Sequence, residues 1–196
     1  MMDPNETVYP MGDTRSRLSG LATLFRKVTG ALDGLIRVYA LVLAVVLTSL
    51  VFLQVIFRYA LSSGLPWVNE LSQYLAIWMV LPLAAALIGS DDHIRISVFV
   101  DRLSTRAVHR IAVIETLAVI AFGSAFTYAG IIYAFESGFR SVSPSLGVDM
   151  FYIYVILPVS GVLFVVFGLK RLLELLEEGA DAIATGDVVD VEDGGP

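Results

Sequence analysis

Four stretches of this chain contain no Asp, Glu, Lys, Arg or His: Val38–Phe57, Leu71–Ser90, Thr116–Phe135 and Met150–Leu169. Each is twenty residues long. At about 1.5 Å rise per residue, a helix of that length crosses the roughly 30 Å hydrocarbon core of a bilayer. In lipid every backbone amide must be bonded within the chain, so these runs should be helices. Four buried helices of a soluble protein are the bland alternative, but globular helices rarely run two turns without a charge. Composition points the same way. The 196 residues are 57% hydrophobic and 16% charged, against about 45–50% and about 25% in soluble domains. The expected fold is an all-α membrane protein with four transmembrane helices.

The segments around the four runs divide the chain. Residues 1–17 are polar, with Pro4, Pro10 and Gly12, and are expected to be mobile. Residues 18–184 form the membrane domain, and 185–196 a disordered acidic tail. Before the first run, Leu18, Leu21, Phe25, Val28, Leu32, Leu35 and Tyr39 recur at alternating steps of three and four, one stripe along a helix. Such a segment either lies in the membrane interface or packs on a partner helix. A second amphipathic pattern, Val100, Leu103, Ala107, Val108 and Ile111, leads into the third run, and a Leu-rich one follows the fourth. The loop Ala60–Leu65 is short, so spans one and two should form a hairpin. Pro66 suits the first turn of a helix, where no amide bond is lost, while Pro82 should kink the second span. In the third run Ala118, Ala121, Ala125 and Ala129 share one face, and Gly123, Thr127 and Gly130 lie near another. Small residues let helices approach closely in lipid.

Charge sets the expected orientation. Of thirteen Lys and Arg residues, five precede span one, four lie between spans two and three, and two follow span four. Only Arg58 and Arg140 fall on the opposite side. The positive-inside rule then puts both termini in the cytoplasm, an N-in/C-in arrangement with the amphipathic segments as interfacial helices. The net charge of −6 arises largely in the tail, where eight acids follow Leu173, so it says little about the charge of any substrate.

The chemistry open to this chain is narrow. It has no cysteine, which excludes disulfides, thiolate catalysis, palmitoylation and cysteine metal sites. Intramembrane ionisable residues usually mark an ion path or substrate site, and the four runs have none. His93 and His109 both lie in the loop before span three, so no bis-histidine haem can sit in the bundle. No catalytic residues, metal ligands or cofactors are expected, nor a nucleic-acid partner. Paired broken helices can mark a transport site, but no polar cluster accompanies Pro82 or Pro158. Arg58 and Glu70 share one boundary and are expected to pair, fixing the hairpin. Trp67, Glu70, Tyr74 and Trp78 share a face of span two. Trp67 fits an interfacial belt. Trp78 lies about 16 Å deeper, where its indole N–H needs a partner, in this chain or in a second subunit.

These residues resemble a known family. Arg58-Tyr59, Trp67, Glu70-Leu71, Tyr74-Leu75, Trp78, His93-Ile94-Arg95-Ile96 and Asp101-Arg102-Leu103 are similar to the DctQ-type small permease subunit of tripartite ATP-independent periplasmic (TRAP) transporters. Ser143-Pro144-Ser145-Leu146-Gly147 and Pro158 resemble its second loop and last helix. Gln73, Gly89 or Ser90, and Ser97 stand where the family often carries charges. The resemblance implies a four-helix scaffold subunit of the bacterial inner membrane, embedded among membrane lipids. Its partners would be a large permease and a periplasmic substrate-binding protein, in sodium-driven uptake of organic acids. Arg58, Trp67, Glu70, Tyr74, Trp78, His93 and Arg95 are the candidate interface or structural residues. A self-sufficient four-helix carrier or channel, and the membrane anchor of an electron-transfer enzyme, are the competing readings.

Overall fold

In a computed structural model, residues 12–60, 62, 64–89 and 105–184 are described. Helix α1 runs over Gly12–Ala60, α2 over Pro66–Ile88 and α3 over Thr105–Glu136. A 3-10 turn at Gly138–Arg140 leads to a short helix α4, Phe151–Tyr154, and to α5, Ile156–Ala184. Four segments are long and apolar enough to cross a membrane: Thr23–Ala60, Pro66–Ile88, Ala107–Arg140 and Phe151–Glu177. Each contains most or all of one charge-free run.

Two boundaries differ from the sequence expectation. The stripe from Leu18 to Tyr39 is not a separate helix but the first half of α1, which continues unbroken into span one for 49 residues. Nothing in that stretch breaks a helix, since Gly30 and Gly34 only weaken it. Likewise, residues 105–111 are the opening turns of α3 rather than a distinct surface helix, and the pattern's first part, 100–104, lies outside the described residues. The acidic tail, 185–196, and residues 1–11 also lie outside them.

Three prolines act differently. Pro66 stands in the first turn of α2, as anticipated. Pro82 is buried, and α2 continues through it, although it cannot donate to the Trp78 carbonyl. Pro158 cannot donate to the carbonyl of Tyr154, and there the helix divides. Val155 separates α4 from α5, bonded back to Phe151 O at 3.0 Å and forward to Val159 N at 3.3 Å.

The helices pack in the order α1–α2–α5–α3, so the last helix of the chain lies between the second and third. The α3–α5 seam is the closest. A Cβ placed on Gly161 would stand 2.4 Å from Thr127 Oγ1 and 2.6 Å from Thr127 N. On Gly130 it would stand 2.8 Å from the nitrogen of Pro158. The face of Gly123, Thr127 and Gly130 therefore meets α5, while Ala118, Ala121, Ala125 and Ala129 face outward. Hydroxyls within the spans donate to the carbonyl four residues back: Thr48 to Ala44, Ser72 to Val68, Thr116 to Ala112 and Thr127 to Gly123, all at 2.7–2.8 Å. This satisfies a polar group where no water is available.

At the end of the bundle that carries the termini, Phe167 is wholly buried against Ile36, Ala85 and Ala86, joining α1, α2 and α5. Lys170 Nζ donates to Gly89 O at 2.6 Å and so caps the C-terminus of α2, a position where the helix dipole favours a cation. Arg26 pairs with Glu177 at 2.9 Å, tying the first half of α1 to α5. Of the Leu18–Tyr39 stripe, Leu32 packs against this core, whereas Val28 and Leu35 are 57% and 66% exposed.

Candidate functional site

The polar organisation at the opposite, loop-bearing end centres on Glu70, in the second turn of α2. Its Oε1 accepts hydrogen bonds from Tyr74 Oη at 2.5 Å and Ser143 Oγ at 2.7 Å, and its Oε2 accepts one from the backbone N–H of Ser145 at 2.8 Å. Tyr74 reaches Glu70 because the two are four residues apart on one helix face. Ser143 and Ser145 come from more than seventy residues away in sequence.

The loop is shaped to deliver those donors. Residues 141–150 form a small hairpin: Ser143 N donates to Val148 O at 2.9 Å and Met150 N to Ser141 O at 2.9 Å, around an antiparallel bridge between Val142 and Asp149. Gly147 closes the turn at φ +67°, the left-handed region that glycine enters without steric cost. Its N–H donates to Ser143 O at 3.0 Å. Ser143 is buried, and its Oγ also accepts from Leu146 N at 3.1 Å. Stacked rings of Phe139 and Phe151, 4.3 Å apart, hold the base of the loop. The carboxylate thus fastens the loop between α3 and α4 to α2, using one charged acceptor for two hydroxyls and a backbone amide.

This arrangement corrects one expectation. Glu70 does not pair with Arg58. The loop amide and hydroxyls occupy both carboxylate oxygens, and Arg58 makes no hydrogen bond or ion pair among the described residues. Arg58 instead lines an open cleft of about 530 Å³ with Gln54, Ser62, Gly64, Leu65, Pro66 and Asn69, at the turn between α1 and α2. Sequence reasoning missed Ser143 and Ser145. The signal was present in Ser143-Pro144-Ser145-Leu146-Gly147, a turn that carries two hydroxyls.

The remaining candidates are dispersed. Trp67 is 40% exposed in the first turn of α2. Tyr74 joins the Glu70 cluster and lies 3.6 Å from Met150 Sδ. Trp78 is half-buried, and its indole N–H has no partner among the described residues. His93 and Arg95 lie outside the described residues. Among the described residues no group of His, Cys, Asp or Glu is arranged to hold a metal. The cluster around Glu70 is thus a structural fastening in which both oxygens of its one charged group accept hydrogen bonds.

Residues 47–178, more than half of the chain, match the family model of the DctQ component of tripartite ATP-independent periplasmic transporters. The chain belongs to this DctQ family. A Haemophilus influenzae protein described as a TRAP transporter small permease protein is 26% identical over 80 residues, covering 41% of this chain. That match spans 50% of the relative's own length. The family is one of transporters rather than enzymes. Together with the four apolar helices, membership makes the chain a multi-pass membrane protein and a small TRAP permease subunit. The matched region contains Glu70, Tyr74 and the Ser143–Gly147 turn, so the fastened loop belongs to the family-like part of the molecule.

Proposed function

We propose that this chain is a non-catalytic scaffold in sodium-driven uptake of organic acids across the bacterial inner membrane. It packs beside a large permease that holds the substrate and sodium sites. Its termini lie in the cytoplasm, and the Glu70-fastened loop faces the periplasm, where a substrate-binding protein docks. The match to the DctQ component carries this reading. Two features support it. The charge-free runs offer no group to bind an anion at mid-membrane. Trp78, on α2, has an indole N–H without a partner among the described residues, and a second subunit can supply its acceptor in lipid.

Reconstitution tests the role. Proteoliposomes holding this chain, the large permease and the binding protein should accumulate an organic acid under an inward sodium gradient, and omission of this chain should abolish uptake. Uptake by this chain alone would overturn the scaffold reading. The orientation has its own test, made simple by the absence of native cysteine. In a strain with a permeabilised outer membrane, Ser141→Cys should react with a membrane-impermeant maleimide and Thr185→Cys should not; the reverse pattern refutes N-in/C-in.

A further inference from the structure

We propose that the cleft at the turn between α1 and α2 is a binding site for an anionic phospholipid, with Arg58 holding the phosphate. Arg58 directly follows the charge-free run Val38–Phe57, which puts its guanidinium at headgroup depth whichever way the protein is oriented. It has no partner among the described residues. The nearest carboxylate in sequence, Glu70, accepts from Tyr74, Ser143 and Ser145 and makes no ion pair with Arg58. A cation at an interface without a protein counter-ion draws the anion that the membrane supplies. A guanidinium matches a phosphate through two parallel N–H···O bonds.

The rest of the cleft suits the same ligand. Gln54, Asn69 and Ser62 line it and bring amide and hydroxyl donors to phosphate or glycerol oxygens. Ser62 is held at φ +48°, the one non-glycine residue with positive φ among those described. One and two turns before Arg58 on its own face of α1, Val55 and Val51 are 46% and 45% exposed. They offer an acyl chain an apolar track directly below the headgroup. That track favours a phospholipid over a free phosphate ion, although both share the anionic group.

Native mass spectrometry of the full-length chain in detergent, titrated with phosphatidylglycerol, tests the assignment. The wild type should retain one phosphatidylglycerol in preference to phosphatidylcholine, and excess inorganic phosphate should not displace it. Arg58→Gln should weaken retention roughly fivefold, Arg58→Lys should fall between, and Arg140→Gln should leave it unchanged. Thermal melting in detergent verifies that each variant is folded. Equal retention by Arg58→Gln, equal retention of phosphatidylcholine, or displacement by inorganic phosphate would each overturn the proposal.

Discussion

At Glu70 three donors converge on two oxygens, and two of the three come from a loop that has few other polar ties to α2. If that carboxylate is what holds the loop, its removal should be felt there and not in the seams. In Glu70→Ala, hydrogen exchange at the amides of Ser143 and of residues 145–148 should quicken, while the amides of α3 and α5 exchange as in the wild type. Unchanged exchange in the loop would mean that its own hairpin bonds suffice. Ser160 gives a contrasting case. It is wholly buried in α5, and its Oγ has no hydrogen-bond partner among the described residues. A buried polar group without a partner costs about 1–3 kcal/mol. Ser160→Ala should therefore melt at the same temperature as the wild type or higher; a lower melting temperature would reveal a partner beyond the described residues.

The elements owe their pairing mainly to size. Helices in lipid gain little from burying apolar surface against one another, so close backbone approach decides which faces meet. Along α3 and α5 that approach is set by Gly123, Gly130 and Gly161, with Pro158 seated against Gly130. Gly161→Val should push the two helices apart and cost about 1–3 kcal/mol, read as a fall in the melting temperature in detergent. Ala125→Val, on the outward face, should leave it nearly unchanged. Equal effects would remove the distinction between the two faces. The terminus-bearing end is fixed differently, by Phe167 at the junction of three helices and by Lys170 on the last carbonyl of the α2 turn.

On the scale of the whole molecule, the row α1–α2–α5–α3 leaves α1 largely uncovered: 6% of the most apolar window of its span is buried, against 39% for the span that includes α5. A row of helices exposes two broad faces, of which lipid or a second subunit can take either. Trp78 belongs to such a surface, since it is half-buried and its N–H has no partner among the described residues. Trp78→Ala should lower the yield of co-purified large permease more than Trp67→Ala does. Trp67, at the membrane boundary, can satisfy its indole with water or headgroups. Equal yields would place the subunit interface elsewhere.

The sequence by itself determined that this chain is an all-helical membrane protein with four helices long and apolar enough to cross a bilayer. A bilayer excludes charge over a fixed thickness, and that exclusion is written locally as four charge-free runs. It also located Pro66, and the residues that carry the family resemblance. The tertiary structure decided what depends on distance across the fold. It joined the amphipathic stripe to span one as a single helix and set α5 between α2 and α3. It chose the glycine face of α3 over the alanine face, which a helical wheel alone presents as equivalent. It also gave Glu70 to Ser143 and Ser145 instead of Arg58. Arg58 and Glu70 are near in sequence and of opposite charge, so local reasoning paired them. A carboxylate takes the donors that the folded chain brings within 3 Å, and a loop 73 residues away brought its own.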